Sequence, residues 1–255
     1  MGEAKRENKK GESKRMRNIK LTIEYDGKDF NGWQKQPDKL NIQGTIEKAI
    51  EAVTGEVTEL NASGRTDAGV HAIGQVANFK TSSKIPIEKI PIALNSNLKK
   101  SIRIISAEEV DERFHSRLTC KRKTYRYVIN NSEFSSAIYR NLETHIPQKL
   151  DIEKMKQAAK YFEGEHDFKA FKASGTSSKS SVRTIYDAKI YQNGDKIYIE
   201  LTGNGFLYNM VRIIAGTLVE VGLEKIEPEK IEEIIKEGKR ENAGKTLPPN
   251  GLYLV

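Results

Sequence analysis

The sequence predicts an α+β protein: two tandem ferredoxin-like β-α-β-β-α-β units sharing a mixed, mostly antiparallel sheet, with helices on one face and a central cleft between the units. Three observations carry this. Several short segments alternate apolar and polar residues, the period of half-buried strands. Others place apolar residues three and four apart, the period of amphipathic helices. The same order of elements then recurs in each half of the chain, which points to a repeated supersecondary unit.

Residues 1–16 are polar, charged and aperiodic, and are expected to be a disordered basic tail. A first unit follows over 17–112 and a second over 113–255. "RNIKLTIEYDG" alternates and stops at Asp26-Gly27, a strand and its turn. "NIQGTIEKAIEAVTG" has Ile42, Ile46, Ala49, Ile50 and Val53 at helical spacing and ends at Gly55. "GQVANFK" reads as a strand, "IEKIPIALNSNL" as a helix interrupted by Pro91, and "SIRIISAEEV" as a strand.

In the second half "CKRKTYRYVIN" is a strand and "DIEKMKQAAKYFEGEHDF" a helix capped by Asp151. "FKASGTSSKSSVR" is a long Ser/Gly/Lys loop. "VRTIYDAKIYQNGDKIYIELTG" is a hairpin with Asn193-Gly194 or Gly194-Asp195 at its tip. "FLYNMVRIIAGTLVEVG" and "EPEKIEEIIKEG" are helices. The last strand of the second unit falls to "GLYLV", the weakest element of the scheme.

A chain of 255 residues with 37% hydrophobic and 31% charged content suits a soluble globular protein. Its apolar runs are far short of the ~18 residues that a membrane span needs, and it opens on charge rather than on a secretory signal. The single cysteine, Cys120, has no internal partner, which fits a reducing cytoplasm. The net charge of +8 points to a polyanionic partner. Much of it sits in the first 20 residues, which hold eight cations against three acids, so local clusters decide more than the total.

Three clusters stand out. In "NASGRTDAGVHAIGQVANF", Asp67 is the only acid, two positions after Arg65 and between Gly64 and Gly69. If this stretch is extended, Arg65 and Asp67 share a face, and the cation would hold the carboxylate ionised. The same pattern also describes a surface ion pair worth ~0–1 kcal/mol. Arg212 lies in a helix apolar nearly all round; a buried guanidinium needs an anion, and Asp67 is a candidate from afar. The alternative is an arginine that snorkels from the helix edge. In "RFHSRLTCKRKTYRYVI", Arg113, Arg117, Lys121, Arg122, Lys123 and Arg126 interleave with Tyr125 and Tyr127. Cations meet phosphates and rings stack on bases, so this strand is a candidate nucleic-acid surface; a solvated basic edge strand is the plain alternative. Trp33 is assigned to the core. The four histidines lack metal-ligand spacing, and no Gly-rich phosphate loop is present, so no metal or cofactor is expected.

Taken in order, "FNGWQKQ", "GRTDAGVHA", "RKTYRY", "GFLYNMVRIIAG" and "GLYL" resemble the TruA family of tRNA pseudouridine synthases across residues 17–255. The resemblance implies isomerisation of uridine to pseudouridine at positions 38, 39 and 40 of the tRNA anticodon arm, by a cytoplasmic homodimer without metal or organic cofactor. It implies that Asp67 is the catalytic nucleophile, that Tyr125 and Arg212 complete the active site, and that Arg65 helps displace the target base. Tyr125 would also stack on the uracil, and Lys121, Arg122, Lys123 and Arg126 would bind the RNA backbone. Two features depart from the family pattern: the N-terminal tail, and a C-terminus that ends at "GLYLV" where the family usually continues as an edge strand.

Two other functions stay open on residues alone. Tandem units of this topology also describe paired RNA-recognition domains, but the aromatic RNP1 pattern is missing. A glycoside-cleaving hydrolase normally needs two acids flanking the bond, and the Asp67 motif supplies one.

Overall fold

A computed structural model of the chain describes residues 15–175 and 180–255. The expected tail falls, except for its last two residues, outside the described residues, as does the middle of the 171–183 loop.

The first unit consists of β1 (Arg17–Tyr25), α1 (Ile42–Thr54), β2 (Asn61–Ala62), β3 (His71–Thr81), α2 (Ile90–Ser96) and β4 (Ile102–Val110). In β1, buried Ile19, Leu21 and Ile23 alternate with more exposed Lys20, Thr22 and Glu24, as the sequence pattern requires. Asn41 caps α1 by accepting from the Gly44 N–H at 2.8 Å. Pro91 does not interrupt α2; it sits in the first turn, where a missing N–H costs nothing.

The second unit holds β5 (Lys123–Asn130), β6 (Thr144–His145), α3 (Ile152–Lys160), β7 (Gly164–Asp167), β8 (Val182–Asn193), β9 (Lys196–Gly203), α4 (Met210–Gly222), α5 (Lys230–Glu237) and β10 (Leu252–Leu254). The helix read from Asp151 to Phe168 is too long. It stops at Lys160, and the polar run at 164–167 becomes β7, which pairs with β8 and covers its edge. Asn193 pairs with Lys196, so Gly194-Asp195 forms the hairpin tip.

One ten-stranded sheet results, in the order β4-β1-β3-β10-β5-β9-β8-β7, with β2 on β3 and β6 on β5. Leaving out the short β6 and β7, the spatial order within each unit is last, first, third, second: β4-β1-β3-β2 and β10-β5-β9-β8. Pairing is antiparallel except at β3–β10 and β5–β6. The weakest strand of the sequence reading, β10, is therefore no edge. It lies between β3 and β5, and His71 and Ala72 face Tyr253 and Leu254 across the seam.

The helices pack on the face carrying Ile19, Leu21, Tyr127, Ile129, Ile199 and Leu201. The other face is polar. Residues 111–122 cross it on their way from β4 to β5, pinned by buried amides. Ser116 donates to Asn78, Asn78 to Asn18, and Asn18 to the Asp111 and Phe114 carbonyls, all at 2.9 Å.

Candidate active site

Asp67 opens a tight turn between β2 and β3, closed by the Val70 N–H on the Asp67 carbonyl at 3.1 Å. Residues 65–67 are not in a strand. Thr66 points inward and bonds the Tyr25 hydroxyl at 2.7 Å. Its carbonyl accepts from Trp33 N–H at 3.0 Å. Gln75 holds the start of the turn, accepting from Ser63 Oγ and donating to the Gly64 carbonyl. Pro249, from the chain's last segment, closes over Gly69. The "FNGW" and "PPNGLYL" stretches are thus walls around the Asp67 turn, and Trp33 is buried at 2% exposure.

The second unit supplies the rest. On β5 the side chains alternate, so Lys123, Tyr125 and Tyr127 share the helix-covered face and Arg126 takes the other. A methyl group at Gly64 would meet Lys123 Nζ at 3.6 Å and Tyr125 Oη at 3.7 Å, which sets both residues against the Asp67 turn. Tyr125 stands edge-on to Phe206, with centroids 5.2 Å apart. Its hydroxyl makes no hydrogen bond among the described residues. Burial, followed by electrostatic coupling to the neighbouring Tyr25 phenol and the Asp67 carboxylate, pushes its pKa well above the ordinary phenol range. Tyr125 is a neutral phenol at any physiological pH.

Arg212 leaves α4 toward the same junction. Its Nε donates to the Leu247 carbonyl at 2.6 Å and its Nη1 to Asn209 Oδ1 at 2.8 Å. The Leu247 segment runs this close because Gly216 and Gly244 pack backbone to backbone; a β-carbon on Gly216 would lie 1.8 Å from the Lys245 carbonyl oxygen. Burial raises the Asp67 pKa above its ordinary value, and the Arg212 charge works against that rise. The two groups interact through the field rather than as a direct ion pair.

Of the residues singled out in the sequence, Asp67, Tyr125, Arg212 and Lys123 come together here. Arg65 is exposed, and the charge acting on Asp67 is that of Arg212, not of its neighbour. Lys121 and Arg122 line a cavity of about 340 Å³ behind the sheet, which Lys123 also borders; Arg122 lies over the Tyr186 ring. Arg126 is ion-paired with Glu200 at 2.7 Å on the face opposite Tyr125. The sequence reading missed Phe206, which sat unassigned in a quoted motif, and Asn209, for which no periodicity or charge signal exists.

A family model described as tRNA pseudouridine synthase matches residues 21–118, nearly all of them in the first unit, and 158–255 in the second. The chain belongs to this family. Relatives named tRNA pseudouridine synthase A include one from Thermoanaerobacter sp., 52% identical over 94% of this chain and 98% of its own. Another, from Caldicellulosiruptor saccharolyticus, is 54% identical over the same shares. A third, from Clostridium perfringens, is named tRNA pseudouridine synthase A 2 and is 54% identical. A chain of the solved Cbf5-Nop10-Gar1 complex overlays 91% of this chain and 56% of its own at a TM-score of 0.35 and 13% identity, too loose to add to the argument.

Proposed function

We propose that this pseudouridine synthase isomerises uridine at positions 38, 39 and 40 of the tRNA anticodon arm, with Asp67, Tyr125 and Arg212 as its catalytic residues. One observation carries the reading: a half-buried carboxylate from the first unit meets the field of a guanidinium from the second, beside a buried phenol with an uncommitted hydroxyl.

The reaction breaks C1′–N1 and forms C1′–C5, so the detached uracil must be held while it turns over. Asp67 serves as nucleophile at the sugar or the base, or as base at the sugar. Each role needs the ionised carboxylate, which Arg212 favours. Tyr125 offers a ring to the flipped uracil, edge-braced by Phe206. As a neutral phenol it takes part in removing the C5 proton by hydrogen bonding or relay rather than as a phenolate. The nucleotide must leave its stack, and Arg65, exposed beside the turn, would fill the vacancy. Lys123 is the member of the basic strand that reaches the site; Lys121, Arg122 and Arg126 would touch RNA only outside it.

Subdomains 17–112, carrying Asp67, and 113–255, carrying Tyr125 and Arg212, complete this reading. So does a cytoplasmic homodimer working without metal or organic cofactor. Among the described residues no helix is long and apolar enough to cross a membrane.

The test is incubation with an unmodified tRNA transcript, followed by carbodiimide mapping of pseudouridine. Modification at 38, 39 or 40 is expected. Release of free uracil would make the protein a hydrolase, and unchanged RNA that still binds would make it a binding module.

A further inference from the structure

The helix that carries Arg212 begins in an uncommon way. Its N-cap, Asn209, sits in the left-handed region at φ 59° and ψ 7°. L-residues enter that region at a cost, which asparagine bears better than most. An asparagine at a helix start ordinarily turns its side-chain oxygen onto a backbone N–H of the first turn. Asn41 and Asp151 do this for α1 and α3. Asn209 does not. Its Oδ1 accepts from Arg212 Nη1 at 2.8 Å, while Nε of the same group donates to the Leu247 carbonyl at 2.6 Å. Two fixed acceptors on different edges of a planar guanidinium set its orientation. They leave Nη2 without a hydrogen bond among the described residues.

We propose that Asn209 is a positioning residue: its left-handed backbone aims the side-chain oxygen at Arg212 and so keeps the guanidinium charge turned toward the Asp67 turn. This rests on Asp67 being the catalytic carboxylate. The cap that α4 forgoes is the structural trace of the arrangement, because an asparagine serving only the helix would bond the helix.

The distinguishing variant is Asn209→Gly. Glycine enters the left-handed region freely, so the turn survives while the acceptor is lost. The melting temperature should move by no more than about 4 °C, the equivalent of one lost hydrogen bond. tRNA affinity should be unchanged. The single-turnover rate on tRNA at neutral pH should fall at least about tenfold, and the acid limb of the pH–rate profile should move up, because Arg212 no longer holds Asp67 ionised. Of the other groups at the Asp67 turn, Tyr125 from β5 and Tyr25 behind it from β1 stay protonated across that range and do not contribute to the limb. Lys123 from β5, a cation whose pKa burial lowers, is common to the wild type and the variant, so the difference between their limbs is not its own. Asn209→Asp keeps an oxygen for Nη1 but adds a second anion. Its alkaline plateau should return toward wild type while its acid limb lies above that of the wild type.

Asn209→Gly with wild-type rate and limb would overturn the proposal. So would a rate loss matched by a large loss of stability and restored by a stabilising osmolyte. Asp67→Asn is assayed alongside. If it turns over, the catalytic reading fails and the positioning role falls with it. If it is inert while Asn209→Gly behaves as wild type, the positioning role alone is wrong.

Discussion

Replacing Gly32 by alanine should damage the site without altering any group that does chemistry. Gly32 has φ 83°, a region where a β-carbon costs about 1–2 kcal/mol. That carbon would lie 2.6 Å from the Thr66 carbonyl oxygen, 3.1 Å from the Asp67 carbonyl carbon and 3.2 Å from the Ala68 nitrogen. All three are backbone atoms of the Asp67 turn, so no side chain can rotate out of the way. Ordinary contact begins near 3.4 Å, so the Thr66 carbonyl must retreat by about 0.8 Å. The Trp33 N–H bond to that oxygen, at 3.0 Å, stretches with it, at a further cost of ~1 kcal/mol. Together these give roughly 2–3 kcal/mol, a fall in melting temperature of roughly 4–12 °C at this size. The chemistry should suffer more, since a displacement near 1 Å costs on the order of 10²-fold in rate. The assay is a single-turnover time course at saturating enzyme, following release of label from C5 of uridine, beside a tRNA-binding titration. A slow step with intact affinity is expected. Wild-type turnover in Gly32→Ala would refute the claim that the "FNGW" wall sets the position of Asp67.

Arg212→Met leaves the Leu247 carbonyl and Asn209 Oδ1 without their donor, so thermal melting should report a loss of ~1–3 kcal/mol; an unchanged melting temperature would place Arg212 outside the fold's support. Tyr125→Phe removes a hydroxyl without a bond among the described residues, so stability should hold within about 0.5 kcal/mol while single-turnover product formation slows; an unaltered rate would exclude the hydroxyl from the chemistry. Because burial raises Asp67, activity should vanish, as pH falls, at a pH above the ordinary carboxylate value of 3.8; a pH–rate limb at or below 3.8 would show that the ionised carboxylate is not what limits turnover. His71 is buried and its pKa lies below the ordinary 6.5. Its stabilisation is therefore fully present above 6.5 and declines as pH drops and the unfolded chain takes up a proton. Urea midpoints against pH should show this decline in the wild type and a flatter curve in His71→Gln.

The sequence resolved the elements whose signal is local. The alternation of β1 and the spacing of α1 came directly from residues that face one common core, and Asp151 caps its helix as read. It misjudged elements that depend on distant partners. The run at 164–167 has no strand pattern of its own; it becomes β7 because β8 offers an open edge. Strand β10 was read at "GLYLV", where it stands, but as the weakest element, since three residues are too few for any period to register; its place between β3 and β5 comes from those partners. Pro91 read as an interruption because its tolerance at a helix start depends on where the helix begins, which no local pattern gave.

The site divides along the same line. The presence of a lone acid, a guanidinium in an apolar helix and an aromatic in a basic strand was visible because each is chemically anomalous where it stands. Alternation alone separates Tyr125 from Arg126, and so limits the basic strand's part in the site to Lys123. What could not be read was which cation governs Asp67. Arg65 is two residues away in sequence, but the turn that begins at Asp67 leaves it in solvent, where its charge is screened. Arg212 is 145 positions later in the chain, yet α4 and the β3–β10–β5 seam bring it to the carboxylate through partly dry protein, where a charge is felt more strongly than in water. Proximity along the chain was the weaker guide because the field follows the route with less water. The parallel register of β10 against His71 and Ala72, with Leu254 opposite Tyr125 on its other side, joins the strand that follows the Asp67 turn to β5, so the short last strand is what holds the Asp67 turn beside the second unit.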